Sequence, residues 1–210
     1  VMQAARAAGH FIPYFCWHPH LSVPGNCRIC MVEVEADGGG SWMDIACNMP
    51  VAKGMQVFTN SEEVQAHRKA TMQFITLNHP VDCGICDKAG ECTLQDYHYA
   101  YNGTPSISRE PKVHSTKHHE LSQRIVLDNE RCILCSRCVR FTHEISKSCA
   151  LGIKHRGDES LVRASEDGAL DLNLGPATKD GPATMQWLVK TVEEVVDGTV
   201  QLSLDTKNLE

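Results

Sequence analysis

The chain has 210 residues, 42% apolar but only 6% aromatic, with 15 glycines, 9 prolines and 11 cysteines. Twenty Lys and Arg against 26 Asp and Glu give a formal charge of −6, which argues against a general nucleic-acid surface. No run of 18 apolar residues is available to span a bilayer, no charged-then-apolar leader opens the chain, and Val at position 1 suits a fragment or processed product.

Met2 to Ala8 is Ala-rich and helix-compatible, and Gly9 supplies a stop. Met31 to Glu35 alternates apolar and acidic residues, as a half-buried strand does, and Trp42 to Ala46 can return as its partner across the turn Asp37-Gly-Gly-Gly-Ser41. That glycine triplet lacks the Lys-Ser/Thr ending of a phosphate loop, so the hairpin turn is preferred. A helix begins near Glu62, with Thr59, Asn60 and Ser61 as candidate caps and Thr59-x-x-Glu62 and Asn60-x-x-Glu63 resembling capping boxes. Val64, Thr71, Phe74, Ile75 and Leu77 form its expected buried face, and Pro80 ends it.

A short helix is expected from about Thr93 to Tyr101, closed by Asn102-Gly103. Residues 103–122 read as a linker, and Lys112 to His119 within it as a solvated basic loop, with anion contact as the lesser reading. Arg124 to Asp128 is a short strand, and Cys138 onward has helical character. After Asp171 the cysteines and histidines are gone. Met185, Leu188, Val189, Val192, Val195 and Val196 then mark an amphipathic helix, whose apolar face suits packing within the chain or a partner, and Thr199 to Leu204 alternates like a strand.

Ten cysteines fall into three groups: Cys16-x10-Cys27-x2-Cys30-x16-Cys47, then His79-x3-Cys83-x2-Cys86-x5-Cys92, then Cys132-x2-Cys135-x2-Cys138. Cysteines three apart converge well on one metal or cluster, whereas a disulfide gains most by closing a long loop. An odd cysteine count without a secretion signal also favours metal over disulfides. Thiolates are soft donors that favour iron–sulfur clusters, zinc or cuprous ions.

The first group has the form of a [2Fe–2S] site, with three Cys close in sequence and Cys47 beyond a hairpin. Pro24-Gly25-Asn26 suits a loop that must bend tightly and aim N–H groups at sulfur. Trp17 and His18 either shield such a site or serve as ordinary packing residues. In the second group Pro80 holds His79 extended, and Gly84 and Gly90 leave room for a bulky inorganic core. Three thiolates and an imidazole equally describe a structural zinc site. The third group is the C-x2-C-x2-C half of a ferredoxin-type [4Fe–4S] motif, with Thr142 where a nearby fourth Cys often stands.

Several stretches carry a resemblance: Pro13–Pro19 (PYFCWHP), Gly25–Val34 (GNCRICMVEV), Ala46–Val51 (ACNMPV), Asn78–Cys83 (NHPVDC), Gly90–Asp96 (GECTLQD) and Arg131–Phe141 (RCILCSRCVRF). In this order they resemble the N-terminal part of the large iron–sulfur subunit of NADH:quinone oxidoreductase (complex I), over roughly residues 1–170. The resemblance implies an α+β chain of small metal-stabilised modules. Residues 1–61 would form a plant-ferredoxin-like β-grasp domain, N-terminally truncated, with a [2Fe–2S] cluster on Cys16, Cys27, Cys30 and Cys47. Residues 62–105 would form a helical module whose [4Fe–4S] cluster takes one histidine and three cysteines, His79, Cys83, Cys86 and Cys92. Residues 106–170 would form a ferredoxin-like module with a second [4Fe–4S] cluster on Cys132, Cys135 and Cys138, and residues 171–210 are unassigned.

Three departures from the family pattern stand out. The chain starts inside the Ala-rich helix, the family's large molybdopterin-enzyme-like domain is missing, and its fourth ligand to the third site, in a Cys-Pro-x-Gly-Ala-Leu segment, has no match. Cys149 is a fallback ligand, but a buried or partly exposed spare thiol is the favoured reading, so the third cluster is expected to be incomplete, labile or [3Fe–4S].

The implied function is electron transfer as a subunit of an NADH dehydrogenase, from a flavin partner through the clusters towards a quinone. No complete catalytic site is expected here, and with no dinucleotide fingerprint NADH and flavin belong to a partner subunit. The implied location is cytoplasmic, touching the inner membrane only through other subunits of the complex. Two alternatives stay open: a diaphorase-type electron-transfer subunit of an NAD-linked hydrogenase or formate dehydrogenase, and a zinc-stapled structural or interaction module.

Overall fold

The computed structural model describes residues 1–36, 39–104, 106–121 and 125–165. The expected helix from Met185 and strand from Thr199 lie outside the described residues. Short strands and helices mix throughout, and the chain divides into two compact units. The first contains Val1–Trp17 and Val23–Lys112, with the first two cysteine groups. The second contains His18–Ser22 and the described residues from Val113 to Ser165, with the third group.

In the first unit, helix α1 (Met2–Ala7) is tied down at its start. The Val1 ammonium donates to the Met49 carbonyl at 2.6 Å, and the Met2 amide to the Ala46 carbonyl at 2.9 Å. Strand β1 (Met31–Glu35) keeps the alternation seen in sequence, with Val32 and Val34 fully buried between more exposed neighbours. It pairs antiparallel with β2 (Ser41–Ile45), Met31 opposite Ile45 and Glu35 opposite Ser41. On its other edge lies β3 (Gln56–Phe58), a three-residue strand too short to announce itself by periodicity.

Helix α2 (Glu62–Ile75) starts where expected, capped by the last of the three candidate residues. Ser61 is the N-cap, its side chain accepting from the Val64 amide at 3.4 Å, so neither Thr59-x-x-Glu62 nor Asn60-x-x-Glu63 is in register to be a capping box. The helix also ends before Pro80: Thr76 caps it, its hydroxyl donating to the Met72 carbonyl at 2.8 Å. The buried face is Val64, Arg68 and Met72, each one turn apart, whereas Phe74 lies off that stripe and is 69% exposed. Met72 is fully buried, so Met72→Ala is expected to destabilise this unit by roughly 2–5 kcal/mol, read as a lowered thermal midpoint.

Helix α3 (Thr93–Tyr97) continues into a wider π-helical turn, His98–Asn102, and Gly103 closes it as expected. The basic stretch that follows is an exposed loop from Val113 to His118, as expected, but it is anchored at specific points. Lys112 donates to the Thr76 and Leu77 carbonyls, both at 2.8 Å, satisfying groups that the end of α2 leaves open.

In the second unit His114 and Lys117 reach the buried Glu130 carboxylate at 2.8 and 2.7 Å. These contacts hold the Glu130 carboxyl below its ordinary range, Lys117 contributing most. The expected linker likewise contains strand β4 (His119–Glu120), which pairs with β5 (Val126–Leu127). Helix α4 (Arg137–Glu144) and the hairpin β6 (Leu151–Lys154) with β7 (Leu161–Ala164) complete the described part. Leu21, Ile125, Phe141, Leu151 and Val162 meet in its core. Leu21 belongs here because Ser22 is clamped: its amide donates to Glu144 at 2.7 Å and its carbonyl accepts from Arg140 at 2.5 Å.

Candidate metal centre

The loop from Cys16 to Cys30 brings the first group together beside β1. Cys16 and Cys30 are buried, while Cys27 and Cys47 are partly exposed. Cys27 hydrogen-bonds Cys16 and Cys30 hydrogen-bonds Cys47, and the charge of Cys16 acts on both Cys30 and Cys47. The Cys16 contact and then burial push the Cys27 thiol up, and the Cys47 contact and then burial do the same to Cys30. Cys47, receiving the hydrogen bond from Cys30, is pushed down. Four sulfurs this crowded resist ionising together without a cationic core between them. A [2Fe–2S] core meets that requirement, and the donor set fits it.

Trp17 packs in the same core as Cys30 and Val32, edge-on to Tyr14 at 5.2 Å, with the Arg6 guanidinium 5.5 Å from its ring. It is a packing residue that also walls the site. Gly25, in the loop, has φ +62°, and a Cβ there would stand 2.9 Å from Ile45 Cδ1. Gly25→Ala is therefore expected to cost about 1–2 kcal/mol of stability through the left-handed backbone alone, measured by thermal unfolding.

The second group lines a cavity of about 250 Å³ between the end of α2 and the start of α3. His79, Cys83, Cys86 and Cys92 are all on its wall, with Gly84, Leu94 and Tyr99 among their neighbours. Nothing lies within 4 Å of where a Cβ on Gly84 would sit. Gly90 has φ +85° and its amide donates to the Gln95 side chain at 3.1 Å, which turns the chain from Cys86 towards Cys92. Three thiols and an imidazole around an open volume fit a [4Fe–4S] cluster with mixed ligands.

In the third group Cys132, Cys135 and Cys138 lie within electrostatic range of one another at the start of α4. Burial pushes the Cys132 thiol up to about 11 and the Cys138 thiol up to about 12. The Leu134 amide donates to Cys132 Sγ at 3.4 Å, the kind of N–H to sulfur contact that tunes a cluster. Thr142, where a nearby fourth Cys would stand, is buried and structural. Its hydroxyl donates to the Val139 carbonyl at 2.9 Å and accepts from the Leu151 amide at 3.3 Å. Cys149 is exposed rather than buried or partly exposed, with its Sγ 3.6 Å from His143 Nδ1.

Backbone conformation marks all three groups. Among the described residues seven non-glycine positions have positive φ, and four of them, Arg28, Val81, Leu134 and Ser136, stand inside the cysteine groups. Left-handed residues turn successive N–H groups to one side, making a concavity that suits an electron-rich core. Val81 is β-branched, for which φ 51° is a strained conformation that surroundings must enforce. No residue type at these positions signals the strain in advance.

Comparison with known proteins agrees with this chemistry. Residues 1–62 match the family model of a 2Fe-2S iron-sulfur cluster binding domain. Residues 68–105 match the NADH-ubiquinone oxidoreductase-G iron-sulfur binding region, and residues 122–177 the ferredoxin-like domain of NADH-quinone oxidoreductase subunit 3. The NADH-quinone oxidoreductase G subunit of Rickettsia felis is 40% identical over 175 residues, 83% of this chain and 25% of its own length. Its counterpart in Rickettsia conorii matches equally, at 40% over the same shares. This chain thus spans about a quarter of the length of these relatives.

Among solved structures, a chain of NAD+-reducing [NiFe]-hydrogenase in the H2-reduced state superposes with TM-score 0.69 and 34% identity, over 79% of this chain and 68% of that one. The chain therefore contains one [2Fe–2S] binding domain and [4Fe–4S] binding regions, and it belongs to the NADH-quinone oxidoreductase G-subunit family of iron–sulfur proteins.

Proposed function

We propose that this chain is an iron–sulfur electron-transfer part of a complex I-like NADH:quinone oxidoreductase, receiving electrons from a flavin-bearing partner subunit. The observation that carries the reading is the set of three thiol groups on strained loops, two of them shaped as complete four-ligand sites. The ligands are Cys16, Cys27, Cys30 and Cys47 for [2Fe–2S], then His79, Cys83, Cys86 and Cys92 for [4Fe–4S]. Cys132, Cys135 and Cys138 hold a second [4Fe–4S] centre. When bound, such clusters take up and pass on single electrons without breaking bonds in the protein.

The chain's own residues hold and tune these centres rather than perform acid–base steps. Buried Trp17 and Val32 keep water from the first site, and the Leu134 amide donates towards the third. The modules run over 1–61, 62–105 and 106–170, the first a β-grasp domain; the β2–β1–β3 sheet and the three family-model spans support that division. Among the described residues no helix is long and apolar enough to cross a membrane; attachment to the membrane through other subunits of the complex, on the cytoplasmic side, belongs to the same proposal. The hydrogenase likeness, at 34% identity, supports the diaphorase-type alternative less than 40% identity to the oxidoreductase G subunits supports this one.

The test is anaerobic purification with iron and sulfide analysis and EPR of the reduced protein. Reducible [2Fe–2S] and [4Fe–4S] signals are the expected result. Zinc without sulfide would end the reading.

A further inference from the structure

We propose that Arg68 is a positioning charge beside the first cysteine group, there to make the centre held by Cys16, Cys27, Cys30 and Cys47 easier to reduce. Arg68 stands in the middle of α2 and is only 3% exposed, with Val64 and Met72 buried one turn to either side. Its Nη2 lies 3.5 Å from the carbonyl of Met31, the residue after Cys30, and Cys30 is 1% exposed. The guanidinium sits 5.3 Å from the centre of the Tyr101 ring, which flanks it.

An apolar side chain would fill this position at far lower cost, since burying a cation without a counter-charge is expensive. No carboxylate among the described residues pairs with Arg68, and its Nε has no hydrogen-bond partner among them. Burial lowers its pKa, and the groups that draw it back are Tyr101, Cys30 and Tyr97. Of these, Cys30 is the one committed as a thiolate once a cluster binds. The guanidinium stays protonated throughout its working range, so its charge is fixed.

Reduction of the centre adds one electron and therefore one negative charge, with no bond made or broken and no proton taken from Arg68. A fixed positive charge in a poorly screened interior stabilises the reduced form more than the oxidised one, which raises the potential. Cation–π contact with Tyr101 keeps the planar group in place while leaving its charge undiminished.

The inference rests on the proposed [2Fe–2S] occupancy, and the experiment separates the two. Wild type, Arg68→Lys, Arg68→Gln and Arg68→Met of the 210-residue chain are compared by EPR-monitored redox titration. Gln and Met are expected to make reduction of the [2Fe–2S] centre about tenfold less favourable, close to 59 mV downward for a one-electron couple. Lys is expected to restore most of the shift, and the [4Fe–4S] signal assigned to His79 moves less. An unchanged [2Fe–2S] midpoint in the neutral variants overturns the proposal. So does a Lys variant displaced as far as Met, a larger shift at the His79 centre, or loss of the [2Fe–2S] signal in both neutral variants, which makes Arg68 structural. Absence of that signal in wild type instead sinks the occupancy itself.

Discussion

Replacing His79 with alanine is expected to abolish one [4Fe–4S] EPR signal while leaving the [2Fe–2S] signal in place. His79 shares one cavity wall with Cys83, Cys86 and Cys92, and that cavity of about 250 Å³ has no other cysteine on its wall. Alanine leaves one corner of the core without a protein ligand and widens an already open volume, so loss of the whole centre is the expected magnitude. His79→Cys restores four ligands and is expected to recover the signal at a lower potential, because a thiolate brings a negative charge where imidazole brings none. A purely structural histidine at the end of a helix predicts the reverse order: the alanine variant keeps its cluster, and cysteine changes nothing. An unchanged spectrum in both variants removes His79 from the ligand set.

The parts of this molecule legible in its sequence are those set by local pattern. Met31–Glu35 is a strand because its apolar residues alternate, and α2 starts at Glu62 because capping residues precede it. Cysteine spacing is equally direct, since three-residue steps bring thiols together whatever the surrounding fold. What stays hidden depends on tertiary contact. Phe74 looks like a core residue and is exposed, while Arg68 looks like a surface residue and is 3% exposed, because the neighbours of α2 and not its own periodicity choose the buried face. The hairpin of Leu151–Lys154 with Leu161–Ala164 carries no clear sequence signal because each strand is only four residues long and adjacent Leu161 and Val162 break the alternation of the second. The basic stretch from Lys112 is the exposed loop its composition suggests, but its anchors stay hidden because they are main-chain or distant groups, the Thr76 and Leu77 carbonyls and Glu130. The strain at Val81 has no signal at all, since Val is nearly the last residue expected at positive φ.

Mild oxidation is expected to release iron from the third centre first, with its signal giving way to that of a [3Fe–4S] cluster while the first two persist. Cys132, Cys135 and Cys138 offer three thiols, one short of the usual set. Thr142 is committed to Val139 and Leu151, and Cys149 is exposed beside His143. After His155 the 210 residues contain no further cysteine or histidine. With three thiolates from this group, the fourth iron of a cubane held here is expected to take a weaker donor than thiolate, and oxidation expels that iron most readily. Iron retained by wild type and by Cys149→Ala should therefore be equal after oxidation and desalting. If Cys149→Ala alone loses the third signal, Cys149 is the missing ligand and its loop must fold onto the site. If wild type keeps its full three-cluster iron through the same treatment, the third centre is completely ligated and the prediction fails.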